Sequence, residues 1–430
     1  MIDKIRHLEN TARLLEPDAA QRERLLNGAI AYANEYLAGI SSTPARIARA
    51  DNGRALYDSP ISEEGVDIDG ALTLLQENVS SVGINPTSGR FLGYIPGGGL
   101  FHAALGDYLA AITNRYAGIF FASPGAVRME NMLLRWMAEV VGYPDSAAGN
   151  LSSGGSVANL TAIVTARDAC GIVGDTVDKS VVYITEHVHH CIEKALRVAG
   201  SGTCVRRKVP VDSRYRMDPA ALAETIVADK KAGLRPWMVV ASAGTTNTGS
   251  VDPLTDVGEV AAAHGLWYHV DGAYGALFAL CPEGKAVLSG MDRSDSIVMD
   301  PHKTLFLPYG TGAVLVKDRQ KLFASHSAHA DYMQDILDEV GELSPADLSP
   351  ELTKHFRGLR LWLPLKVLGI APFRAAQSEK IQLARYFFEQ IQKIDGFEVG
   401  PFPDLSVVTY RYLPKRGDAD AFNQRLTQAI

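Results

Sequence analysis

Ser296-Ile297-Val298-Met299-Asp300-Pro301-His302-Lys303 is the stretch on which the fold turns. A short apolar strand runs into Asp-Pro-His and presents a lysine at its tip. Upstream, Trp267-Tyr268-His269-Val270-Asp271 also closes on a charged residue, here a carboxylate. Working outward, Val181-Val182-Tyr183-Ile184, Met238-Val239-Val240-Ala241 and Ala313-Val314-Leu315-Val316 are further short runs. Most are continuously apolar, as strands buried on both faces are. Amphipathic stretches such as residues 256–264 lie between them. This alternation predicts an α/β domain with a mostly parallel sheet. In such sheets ligands sit beyond the carboxyl ends of the strands, where Asp271 and Lys303 fall.

The flanks read differently. Residues 1–85 predict an N-terminal helical segment, with Leu25, Leu26, Ala29, Ile30, Ala33 and Leu37 at helical spacing. Residues 86–350 form the large α/β domain and residues 351–430 a small C-terminal α+β domain. In the latter, a helical stretch over 352–395 leads to Leu405-Ser406-Val407-Val408-Thr409-Tyr410-Arg411-Tyr412, which alternates like a half-buried strand. The pattern stops at Ile430 inside another helical stretch, so this lobe is expected to be cut short or reduced.

The 430 residues carry a formal net charge of −7 and are 47% hydrophobic, ordinary for a soluble globular protein. An acidic balance without a basic run argues against nucleic acid as a partner. No stretch has the unbroken apolar length of a membrane span, and the N-terminus lacks the apolar core of a signal peptide. Cys170, Cys191, Cys204 and Cys281 are scattered, which predicts reduced thiols and a cytoplasmic protein.

Four further segments carry chemistry. Ser152-Ser153-Gly154-Gly155-Ser156 precedes a helical run and reads equally as an anion-binding helix start or a plain capped turn. Thr185-Glu186-His187-Val188-His189-His190-Cys191 follows a strand; no distant Cys/His pair completes a tetrahedral set, so no metal is expected. The remaining readings are an exposed turn or an imidazole stacked on a flat heteroaromatic ring. Ala243-Gly244-Thr245-Thr246-Asn247-Thr248-Gly249-Ser250 places hydroxyls at another strand end. Asp271 and Lys303 complete the set. A lysine amine holds an aldehyde cofactor as a Schiff base, and a carboxylate keeps that cofactor's ring nitrogen protonated. Together these are the requirements of pyridoxal 5′-phosphate (PLP).

Ser153-Gly154-Gly155-Ser156, His189 within H-x-x-x-E-K-A, H-V-D-x-A-Y at 269–274 and D-P-H-K at 300–303 resemble the fold-type I PLP enzymes. More narrowly, they resemble the group II amino-acid decarboxylases, which include the aromatic-L-amino-acid, tyrosine, glutamate and histidine enzymes. Phe120-Phe121-Ala122-Ser123-Pro124 and Phe356-Arg357-Gly358-Leu359-Arg360-Leu361-Trp362 extend the resemblance, which runs from about residue 75 to 370. It implies a large, mostly parallel seven-stranded α/β domain, with Lys303 as the Schiff-base lysine, Asp271 at the pyridine nitrogen and His189 stacked on the ring. Gly155, Ser156 and His302 resemble phosphate contacts, Thr246 the hydroxyl beside the cofactor's 3-oxygen, and Asp252 an acidic residue close to the lysine. Ala273 and Asp300 complete the cofactor set.

Segments holding Phe91, Leu92, Tyr94, Gly97, Phe120 and Phe121 border the substrate in relatives, which implies an apolar slot for an aromatic or bulky amino acid; a core placement is equally open. No basic residue marks a pocket for a side-chain carboxylate, which disfavours glutamate. Relatives protonate the product from a loop tyrosine; here the loop is roughly 325–350, and its sole tyrosine, Tyr332, lies near its start. The resemblance therefore implies an L-amino-acid decarboxylase acting as a homodimer, with the active site at the interface and the N-terminal helices as a swapped element. An aldehyde synthase, which decarboxylates and then oxidatively deaminates, is the alternative enzyme. A PLP-binding protein without turnover is the alternative outside catalysis.

Overall fold

The computed structural model describes residues 1–95, 97–327 and 342–429; Tyr332 lies outside the described residues. The chain divides into two compact units, Met1–Gly93 and Tyr94–Ile430.

The larger unit is organised on seven strands. They are β1 (Ala148–Ser152), β2 (Ser180–Ile184), β3 (Val205–Lys208), β4 (Arg235–Ser242), β5 (Trp267–Asp271), β6 (Ser296–Met299) and β7 (Gly312–Val316). Their spatial order is β1-β7-β6-β5-β4-β2-β3. All neighbours are parallel except β7, which runs against both β1 and β6. Strands β1 and β6 therefore point the same way, and the turns that follow them open at one edge of the sheet. Strands β1 and β3 are the two edges and escape the sequence pattern. Strand β3 reads Val-Arg-Arg-Lys, a charged edge that discourages further pairing.

The strand runs are apolar because both faces are covered. Tyr183, Val239, Ala241, Val270 and Met299 enter one core, while Val182, Ile184, Met238, Val240 and Val298 enter the other. Successive side chains point to opposite faces, so each strand feeds two layers at once. Helices flank these layers with ordinary punctuation. Pro124–Val141 begins on proline, whose fixed φ suits the first turn, and closes at Gly142 with φ 81°. A buried ion pair ties that helix to β1. Lys354 Nζ lies 2.7 Å from Glu130 Oε1, which also accepts the Leu151 backbone N–H at 2.9 Å.

Where β7 begins, space is tight. A Cβ on Gly312 would lie 2.6 Å from Asp300 Oδ1 and 2.6 Å from the Gly154 backbone carbon.

In the C-terminal part, helices Arg357–Leu368 and Ala371–Ile391 occupy the expected helical stretch. The expected strand over 405–412 is shorter: Tyr410–Tyr412 alone pairs, antiparallel to Phe397–Val399. Upstream, side-chain partners replace the ladder. The Ser406 backbone N–H donates to Tyr274 Oη at 2.9 Å, Asp404 Oδ2 accepts the Val251 N–H at 3.0 Å, and Leu405 is fully buried.

The smaller unit contains helices Ile2–Ala12, Ala19–Gly39 and Ile68–Leu75, none of which buries a residue. Ala19–Gly39 starts on a capping box between Asp18 and Gln21. A two-residue strand pair, Arg46–Ile47 with Gly83–Ile84, was not expected from the sequence. Among the described residues no helix is long and apolar enough to cross a membrane.

Candidate active site

The carboxyl ends of the strands are level. Ser242 of β4 is in register with Asp271 of β5, and Asp271 with Val298 of β6. Beyond them lies a cavity of about 330 Å³. Gly155, Ser156, His189, Thr246, Asp271, Ala273, Asp300, His302 and Lys303 all line it. Five separate turns thus deliver the nine residues expected to hold a cofactor.

Lys303 sits in the one-turn helix Pro301–Thr304, which starts immediately after β6 because proline fixes φ for a first turn. Its Nζ is 3.4 Å from Asp300 Oδ2, with the lysine side chain 25% exposed and the aspartate 2%. Burial pushes the Asp300 carboxyl up, against the opposing pull of the Lys303 charge. The His302 Nδ1–H donates to the Thr311 carbonyl at 2.7 Å. Burial holds this imidazole below its ordinary range.

Asp271 ends β5 nearly buried, and its Oδ1 accepts the Ala273 backbone N–H at 3.2 Å. His189 lies in the turn after β2, where its Nδ1 accepts the Cys191 N–H at 3.2 Å. Burial lowers its pKa, Asp271 opposes that, and neighbouring His190 and Lys303 add to the lowering. The balance favours the uncharged ring, at the wall of the cavity.

The helix Gly155–Ala169 opens directly onto the same space. A Cβ on Gly155 would meet Asp300 Oδ2 at 2.9 Å and Ala273 Cβ at 3.2 Å, so backbone approaches closely there only without a side chain.

Asp252 is placed differently from its expected role beside the lysine. Its two carboxylate oxygens accept the Met217 and Ser242 backbone N–H groups, each at 2.7 Å, and it is not among the described residues lining the cavity. Burial raises it to about 6. It braces the base of the hydroxyl loop.

Among the described residues of the larger unit, the expected substrate positions are not part of the cavity lining. Tyr94, Gly97 and Phe121 are absent from its described lining, and Phe121 is 72% exposed. Phe120 is buried with the Arg128 guanidinium 5.1 Å above its ring. Phe91 and Leu92 belong to the smaller unit. Conversely, Asn159, Cys191, Ser242 and Tyr274 line the cavity without having been singled out. Asn159 was legible in principle, since it lies one helical turn beyond Gly155 on the same face.

Comparison with known proteins agrees with this geometry. The pyridoxal-dependent decarboxylase conserved domain matches residues 56–413. The aromatic-L-amino-acid decarboxylase of Bacillus atrophaeus is 35% identical over 366 residues, covering 85% of this chain and 76% of that protein. The phenylacetaldehyde synthase of Petunia hybrida is 29% identical over 419 residues, covering 93% and 81%. The crystal structure of Oryza sativa TDC with PLP and tryptamine superposes with a TM-score of 0.89 at 28% identity, covering 96% of this chain and 89% of that one. With a matching domain over most of its length and its motifs gathered at one cavity, the chain belongs to the pyridoxal-dependent decarboxylase family.

Proposed function

We propose that this protein decarboxylates aromatic L-amino acids, releasing CO2 and an amine. The observation that carries the reading is the meeting of Lys303, Asp271 and His189 around one cavity. The donor set fits PLP end to end. Gly155 and Ser156 at a helix start, with His302, suit an anion; Asp271 suits a cationic nitrogen; Lys303 supplies the amine. When bound, this cofactor supplies an aldehyde for amines and a positive ring that takes up the electron pair left by CO2.

The chain's own groups do the rest. Asp271 holds the proton on the ring nitrogen, because a buried carboxylate favours a cationic partner. Neutral His189 covers the ring and orients the bond that breaks. Thr246 hydrogen-bonds the ring's oxygen substituent. The aromatic substrate class is supported by the activities named for the Bacillus relative and the Oryza structure. An aldehyde synthase is the second reading, favoured by the Petunia relative, which matches nearly the whole chain.

The assembly is read as a homodimer with the site at its interface, in the cytoplasm. Leu25, Leu26, Ile30 and Leu37 are between 39% and 54% exposed along one helix, an apolar face suited to a second copy. Four free cysteines fit a reducing compartment.

The test is an amine-release screen of purified enzyme against the common amino acids, dopa and 5-hydroxytryptophan, with Lys303→Ala alongside. An aromatic amino acid should yield amine and CO2 in equal amounts, and Lys303→Ala should yield neither. Ammonia and peroxide beside CO2 would select the aldehyde synthase; no product from any amino acid would end both readings.

A further inference from the structure

Behind the cavity wall lies a chain of hydrogen bonds that the reaction itself does not call for. The Trp267 indole N–H donates to Ser296 Oγ at 2.9 Å, and Ser296 Oγ is 2.8 Å from His269 Nδ1. On the other side, His269 Nε2 is 2.8 Å from Asn159 Oδ1, and Asn159 Nδ2 donates to Cys191 Sγ at 3.4 Å. An amide oxygen can only accept, so Asn159 Oδ1 takes its hydrogen bond from a protonated His269 Nε2, and a neutral ring then accepts at Nδ1. Ser296 accepts from Trp267 and turns its own proton to Nδ1. That leaves the Asn159 amide N–H pointing at Cys191, whose backbone N–H in turn holds His189 Nδ1.

Two features make this more than core filling. His269 and Asp271 are two residues apart on β5 and so share a face. Asn159 is four residues from Gly155, one turn into the helix that opens on the cavity. The His269–Asn159 bond therefore joins the strand bearing the ring-nitrogen carboxylate to the helix bearing the anion turn. His269, Asn159 and Ser296 are all essentially without solvent exposure. With one ring nitrogen accepting and the other donating, the imidazole is uncharged, and it leaves the Asp271 charge to the cofactor.

We propose that His269 is a positioning residue whose bond to Asn159 sets the separation between Asp271 and the Gly155–Ser156 turn, and thereby the seat of the cofactor. The proposal rests on the roles assigned above to Asp271, Gly155 and Ser156.

The experiment measures PLP affinity and the visible circular dichroism of the bound cofactor in the full-length protein, for wild type, His269→Met, His269→Gln and Asn159→Leu. Methionine fills the space without donating; glutamine keeps a donor near the Nε2 position. His269→Met is expected to weaken PLP binding by about tenfold, the scale of one buried hydrogen bond and the acceptor it strands. Its dichroic band should change in sign or intensity, because the ring is seated differently. His269→Gln should restore most of both. Asn159→Leu, which removes the acceptor from the helix side, should show the same tenfold weakening and dichroic change, and carries the test alone should His269→Met fail to fold. Wild-type affinity and dichroism in both His269→Met and Asn159→Leu would overturn the proposal, as would glutamine performing no better than methionine. Failure of the wild type to bind PLP would instead overturn the functional reading beneath it.

Discussion

Strand β2 buries all five of its residues, whereas the helices Ile2–Ala12 and Ala19–Gly39 bury none. Both regions carry apolar side chains, interleaved with charged ones in the helices, and their placement separates them further. In the sheet, each apolar residue is enclosed by strands and by a helical layer, and the strand ends are held level. Between the two helices, Leu14 and Leu15 remain 82% and 85% exposed. The proposed chemistry lies at these strand ends, where Asp271 is fixed by register and Lys303 by the one-turn helix that follows. The region with uncovered apolar surface is the one to which the proposed homodimer assigns association.

The sharpest way to break this contrast is at the strand end itself. Asp271→Asn keeps the shape and removes the charge, and kcat should fall by several decades while the fold persists. Near-normal turnover, measured as CO2 release, would mean that the level strand ends are scaffolding only.

The next test compares packing directly. Leu151→Ala, at a fully buried position in β1, should cost about 2–5 kcal/mol in denaturant unfolding. Leu14→Ala in the other unit should stay within about 0.5 kcal/mol at concentrations where the protein is a monomer. Equal costs would erase the distinction.

A smaller effect sharpens it. Burial lowers His269 to about 4, from an ordinary 6.5. A depressed imidazole adds stability above its unfolded value and loses it as pH falls, because the unfolded chain takes up the proton first. Between pH 7 and pH 5 the protein should therefore lose about 2 kcal/mol through this residue alone. Calorimetry of His269→Gln over the same range should show that part of the acid sensitivity removed; an unchanged slope would place the sensitivity elsewhere.

The sheet and most of its site were readable from the chain. Five interior strands announced themselves as continuous apolar runs, and Asp271, Lys303 and His189 stood directly after them. What was not readable depended on neighbours far away in sequence. Strand β1 carries few strong apolar residues and is recognisable only beside β7. Residues 405–412 alternate like a strand, but at its start Tyr274 and Val251 engage Ser406 and Asp404, and only Tyr410–Tyr412 forms a ladder. Asp252 was expected near the lysine from the resemblance alone, and the two backbone N–H groups that hold its oxygens had no sequence signal. The relay through His269 was hidden for the same reason, since Asn159 and Ser296 meet it only once three elements pack.

The start of β7 threads between the glycine turn and the lysine turn, two parts of the chain nearly 150 residues apart. Gly312 admits them because it has nothing to put in the gap. A single methyl there would act as a wedge, pressing on Asp300 and on the Gly154 backbone and prising the two turns away from each other. The closeness of those turns is thus specified by an omission, at a position with no functional group of its own.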